Sequence, residues 1–205
     1  MRRYLATALP ALVLALSGCS VPAVPDVTYF RLPPPAAVPH ADKPLSLLPI
    51  EVDTFNAEGV YSEQALIHTA GTDAGALQTY HYQLWSDPPT HALQARLVDV
   101  LRQSGIAPFV TNRLPASAHA LRIDGTIRRY ERVNDGTGFK VVVALTLRVE
   151  EDEGEPLIER DYRAEEATAD TTLKDTVAAF GVAVDKVFGD FYRDLAALQG
   201  DTHAR

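Results

Sequence analysis

The stretch Phe139-Lys140-Val141-Val142-Val143-Ala144-Leu145-Thr146-Leu147-Arg148-Val149-Glu150 decides the fold. Phe139, Val141, Val143, Leu145, Leu147 and Val149 alternate along it, and a backbone that throws successive side chains to opposite sides gathers all six on one face. A segment of this length with one apolar face reads as a strand lying on a core. Two further strands flank it, Leu121 to Val133 before and Leu157 to Ala167 after. The turn-forming runs Asn134-Asp135-Gly136-Thr137-Gly138 and Asp152-Glu153-Gly154-Glu155 join the three into an antiparallel meander.

Towards the C-terminus the period changes from two to between three and four. Leu173, Val177, Phe180, Val184, Val187, Phe191, Leu195 and Leu198 form one stripe, which predicts a helix from about Thr171 to Leu198 lying across a sheet face. Gly181 and Gly189 stand nearly in line on it, and each costs about 1 kcal/mol relative to alanine. Close approach of another backbone accounts for them, and so does a tolerated flaw. Upstream, Leu93, Leu97, Val100 and Leu101 recur on one face of a second predicted helix, which Asp87-Pro88-Pro89 opens and Gly105 ends. Leu45 to Val52 reads as a strand, and Phe109-Val110 as a short one. Ala65–Thr69 and Ala76–Trp85 read as a hairpin around a five-residue loop, Gly71 to Gly75. This order of elements predicts an α+β fold: a mainly antiparallel sheet with two helices on one face, in a single domain over residues 45–200.

The N-terminal 44 residues are of another kind. Arg2 and Arg3 precede an apolar run from Tyr4 to Leu16, too short to span a bilayer and interrupted by Pro10, and then Leu16, Ser17 and Gly18 lead to Cys19, the only cysteine. Residues 1–18 therefore read as a signal peptide. Leu16-Ser17-Gly18-Cys19 resembles the lipobox of bacterial lipoproteins, which implies cleavage before Cys19 and acylation of its sulfur and new amino group by diacylglycerol and an N-acyl chain. Two or three acyl chains hold a protein to a membrane where one holds it only marginally. A lone thiol has no partner for a disulfide within its own chain, and lipidation accounts for it. Ser20 follows where aspartate would, by analogy with enterobacterial lipoproteins, favour the inner membrane; the expected location is the periplasmic face of the outer membrane. Residues 19–44 carry seven prolines from Pro22 to Pro44, which predicts an extended tether, within which Val27 to Leu32 is strand-like and suited to pairing with the domain's edge.

The chain has a formal net charge of -8, and loss of residues 1–18 removes two arginines and no acids. Such a field repels phosphates and argues against a nucleic-acid partner. The six histidines lack the spacing of a zinc site, and the acidic run from Glu150 to Glu155 lacks an EF-hand's alternating ligands, so no metal is expected. There is no G-x-S-x-G elbow, P-loop or G-x-G-x-x-G, and no catalytic residue is assigned. Tyr80, Tyr82 and Trp85 are the most distinctive cluster. Alternation puts the tyrosines on one face and Trp85 on the other, so Trp85 reads as a core anchor beneath the first helix, with all three held as candidates for a partner surface, where aromatics are enriched.

Taken together, the lipobox at Cys19, Tyr29-Phe30-Arg31-Leu32 before the prolines, Leu48-Pro49-Ile50-Glu51-Val52, Tyr80-His81-Tyr82-Gln83-Leu84-Trp85 leading to Pro88-Pro89, and the helix ending near Gly105 resemble the ABC-type transport auxiliary lipoproteins (PqiC-like). Gln83-Leu84 departs from the arginine expected just before the tryptophan. The resemblance implies a non-enzymatic accessory lipoprotein of a lipid or solvent-tolerance transport system, docking onto a mammalian-cell-entry (MCE) domain protein that works with an ABC transporter, and able to form a homo-oligomer. A lipid chaperone carrying apolar ligand in a groove between sheet and helix is the alternative, and it requires a continuous apolar cavity there.

Overall fold

The computed structural model describes residues 25–41, 43–44, 47–70, 73–115, 117–151 and 155–202; the signal peptide, Leu16, Ser17, Gly18 and Cys19 lie outside them. The described residues form an α+β fold with nine strands in one mixed sheet and two α-helices. In chain order the strands are β1 (Thr28–Phe30), β2 (Ile50–Val52), β3 (Asn56–Ala57), β4 (Ala65–Ala70), β5 (Asp73–Trp85), β6 (Val110–Thr111), β7 (Leu121–Asn134), β8 (Phe139–Glu151) and β9 (Ile158–Ala167). The helices are α1 (Pro89–Ser104) and α2 (Leu173–Thr202).

β7 organises the sheet. Its one edge carries β8 in antiparallel register along its whole length, from Leu121↔Glu151 to Asn134↔Phe139, and β9 follows β8 from Ile158 to Ala167. The other edge takes β2, β3 and β4 end to end, all parallel to it. β6 lies outside β2, β5 outside β4, and β1 outside β5. Five of these eight pairings are parallel, so the sheet is mostly parallel by pairings and not mainly antiparallel as expected. The reason is that β1, β2, β3 and β6 are two or three residues long, too short for an alternation pattern to show. The meander that dominates the sequence supplies the two longest ladders.

A bulge between Ile127 and Arg129 in β7 places one extra residue against β8 and keeps Ile127 and Tyr130 on the same face, both almost fully buried. Val141, Val143, Leu145, Leu147 and Val149 face the same way, under the α2 stripe of Val177, Phe180, Val184, Val187, Phe191 and Leu195. Thr172 caps α2, its hydroxyl accepting the Asp175 amide at 3.1 Å. At α1, Pro88 and not Asp87 stands at the cap, without a side-chain cap bond; the fixed φ of Pro89 in the first turn serves in place of the expected aspartate bond. Gly105 ends α1 at φ 70°, the left-handed conformation anticipated for it. Gln94, on the buried side of α1, donates to the Val52 carbonyl at 2.9 Å and ties the helix to β2.

Two boundaries differ from expectation. Ala70 pairs with Asp73, so the β4–β5 connection is shorter than the five-residue loop anticipated. The proline-rich segment is not a free tether throughout: β1 pairs with β5 in parallel, as its composition suggested, and the chain beyond it lies on both helices as far as Ala41, whose amide reaches the Ser104 carbonyl at 2.8 Å. The packed domain thus begins near Thr28 and not at residue 45.

Candidate functional site

Trp85 is 3% exposed, its ring against Tyr130 at 5.5 Å and edge-on to Phe180 at 5.3 Å. It anchors the core, in contact with Phe180 of α2 and in one apolar cluster with Leu93, Leu97 and Leu101 of α1. That burial removes it from any partner surface. Tyr80 also packs against the core, contrary to the simple alternation. The cause is an irregularity in the hairpin: Ala65 pairs with Leu84 and Ile67 with Thr79, so two steps along β4 match five along β5 and the parity of β5 flips. The Tyr80 hydroxyl accepts from Arg132 Nη1 at 2.7 Å, while Arg132 Nη2 donates to the Thr171 carbonyl at 2.5 Å and the guanidinium stands 3.5 Å from the Phe139 ring centroid. Arg132 thereby joins β5, β7, β8 and the start of α2.

Of the three aromatics, only half-buried Tyr82 stays outside the core. The structure adds a residue that sequence reasoning did not select: Tyr29 on β1, paired with Leu84 and 62% exposed, next to the exposed Val27. β1 is the outermost strand at this end of the sheet, so Tyr29 and Tyr82 lie at one sheet edge. The signal for Tyr29 was the strand-like Val27–Leu32 stretch, read for pairing and not for display.

Several other buried polar groups pair with one another or with the backbone. On the sheet face away from the helices, Glu131 is 1% exposed and accepts from Arg129 and from the Tyr61 hydroxyl. Burial first, then the hydrogen bond to Glu131, raises the Tyr61 pKa. Glu51 accepts from Arg122 and from the Leu114 amide at 2.7 Å. Beside it Asp53 and Asp124 share a hydrogen bond; burial raises both carboxyls, with neighbouring carboxylates adding to the effect. His68 stacks on Tyr80 at 4.4 Å. Among the described residues no three His, Cys, Asp or Glu side chains could hold a metal, and no described helix is long and apolar enough to cross a membrane.

The region between sheet and helices is filled. Phe55, Phe180, Phe188 and Phe191 are all 2% exposed or less, and a cavity of about 440 Å³ borders that core at Phe188, between Ala37–Pro39 and the helix residues Val100, Gly189 and Tyr192.

An α+β core, an aromatic sheet edge and an N-terminal segment that lies across both helices define a single-domain α+β protein. Its family is plain from the sequence: residues 30–190 match the ABC-type transport auxiliary lipoprotein component family, and the chain belongs to it. No curated protein matches the chain. Among solved structures, the fold is similar to that of protein XCC0632 from Xanthomonas campestris, at 18% identity and a TM-score of 0.72, covering 86% of this chain and 99% of that one. It is also similar to the hypothetical protein CT253 from Chlamydia trachomatis, at 7% identity and a TM-score of 0.52, covering 75% and 98%. At these identities the likeness establishes the fold.

Proposed function

We propose that the chain is a non-enzymatic docking subunit of an ABC-type transport system, lipidated on Cys19, held at the periplasmic face of the outer membrane, and engaging an MCE-domain protein in lipid or solvent-tolerance transport. The observation that carries this reading is the family match over residues 30–190. The lipobox-like Leu16-Ser17-Gly18-Cys19 supports the anchor, and the aromatic edge at Tyr29 and Tyr82 supports docking, since such side chains bury much area with few rotors to freeze. The lipid-carrier alternative needs an apolar cavity between sheet and helices, where Phe55, Phe180, Phe188 and Phe191 are buried.

Crosslinking in cells followed by affinity purification of the tagged lipoprotein tests the docking role. Recovery of an MCE-domain protein and transporter components is the expected result, and recovery of neither refutes it. Palmitate labelling tests the anchor: the native chain takes up label, and Cys19→Ser abolishes both label and membrane association. A Cys19→Ser chain as membrane-bound as the native one overturns the anchor.

A further inference from the structure

The N-terminal segment is held by the β1 ladder, by Phe30, Leu32 and Ala41 packed against the core, and by a small set of polar contacts. Behind β1, whose Phe30 carbonyl accepts the Ser86 amide at 2.7 Å, Arg96 of α1 donates to the Pro33 carbonyl and, through its other terminal nitrogen, to Asp185 of α2. The second Asp185 oxygen accepts the Ala36 amide at 3.0 Å. One ion pair between the two helices, buried at Arg96 and partly exposed at Asp185, therefore clamps the segment on both sides of Pro34-Pro35. The Pro33 ring lies over Gly181, where an added methyl would meet it at 3.3 Å, a close approach by a side chain at one of the two glycines for which approach or a tolerated flaw was open. From Ala37 to Pro39 the chain passes over the cavity, with no packed floor, before it is held again at Ala41. Arg96 Nε is buried with no hydrogen-bond partner among the described residues, so the clamp is itself incompletely satisfied.

A segment that enters through a three-residue edge strand, bridges a void and is rich in prolines that contribute no amide donors is built to detach as a unit while the other eight strands stay paired. We propose that Thr28–Ala41 is a releasable strap that sets the reach of the domain from its membrane anchor. The strap docked, the reach counted from Cys19 to Thr28 is at most about 28 Å at full polyproline extension; the strap peeled off, the reach counted to Lys43 is at most roughly 75 Å. Pull from the membrane enters at β1, an edge strand of three residues, and is resisted next by Arg96 and Asp185.

This proposal rests on the anchor reading for its consequence, though not for the strap itself. Native-state hydrogen exchange on the full-length, acylated protein in detergent tests the strap directly, reading the amides of Ala36, Ala41 and Ser86 against those of β8. The strap amides exchange at least about tenfold faster than β8, and Arg96→Met speeds them about tenfold more while β8 is unchanged. Where Arg96→Met fails to fold, Gly181→Ala serves, because it favours the helix and pushes only on Pro33. Strap and β8 amides that exchange together in every variant overturn the proposal. In nanodiscs, a dye on Asn112→Cys moves away from the bilayer in the released variant; an unchanged distance overturns the reach. Protein that carries no acyl group overturns anchor and reach together, whereas acylated protein with a strap as protected as β8 overturns the strap alone.

Discussion

Gly125 lies in the middle of β7 on the helix-facing side, and a methyl group placed there would stand 2.7 Å from three atoms of the Phe55 ring. Ordinary carbon contacts begin near 3.4 Å, so Gly125→Ala forces the ring, the strand or both to move by roughly 0.7 Å. Phe55 has little room to yield: it is 2% exposed and meets Phe188 of α2 edge-on at 6.4 Å. Overpacking a filled core costs about 1–3 kcal/mol, and with backbone on one side and an aromatic on the other we take about 2 kcal/mol. For a chain of this size that lowers Tm by roughly 4–8 °C. The smaller, more flexible side chain of Phe55→Leu costs about 1.5 kcal/mol by itself but vacates the space the methyl needs. A double-mutant cycle by urea unfolding therefore gives a double variant close to Phe55→Leu alone, with a coupling of at least about 1 kcal/mol in the relieving direction. Additive losses, or a neutral Gly125→Ala, would show that the ring over the glycine does not set the spacing of α2 on the sheet.

Glu131→Ala leaves Arg129 and the Tyr61 hydroxyl facing an apolar gap, and because the carboxylate is 1% exposed the loss is about 3 kcal/mol in chemical unfolding; a loss under about 1 kcal/mol would mean that water reaches the site. The Asp53 and Asp124 carboxyls are raised by burial above their unfolded-state values, so their contribution to stability is greatest when they are protonated and falls as pH rises through their folded-state pKa. Asp53→Asn, which keeps a donor toward Asp124, accordingly raises Tm at neutral pH and gives no gain at a pH below the ordinary carboxylate range. Equal gains at both ends would rule out titration as the cause.

The readable parts of this fold are those where one periodicity persists. Thirteen residues of β8 repeat the same alternation and α2 repeats its stripe for many turns, so neither could be mistaken. The hairpin of β4 and β5 was recognisable in kind, but no residue pattern announces that two steps on one strand will match five on the other, and that mismatch turned Tyr80 inward. The mostly parallel pairing escaped notice because β2, β3 and β6 are two or three residues long, and which neighbour each takes, β7 for β2 and β3 and β2 for β6, is not written in so short a stretch. The strap shows the same limit. Proline density predicts extended chain correctly, but whether extended chain floats or docks depends on Arg96 and Asp185, 63 and 149 residues from the atoms they hold. Gly181 and Gly189 were equally open to close approach or to a tolerated flaw, and the structure brings Pro33 onto the first while nothing lies within 4 Å of a methyl at the second.

The strap and the aromatic edge are not separate features. β1 begins the docked segment and is also the outermost strand, with Tyr29 displayed on it. A partner that binds this edge adds contacts to the docked form and makes none with a β1 that has peeled away. It must therefore shift the strap toward docking by its difference in affinity for the two forms. Engagement of the transporter component would in this way shorten the tether and draw the domain toward its membrane, with no change in the core. The Ser86 amide, held by Phe30, reports on that equilibrium. Adding the partner slows Ser86 exchange in the native chain, and Tyr29→Ala weakens both binding and the slowing. Binding that leaves Ser86 exchange unchanged would mean that the partner docks on another face and that tether length is set independently of it.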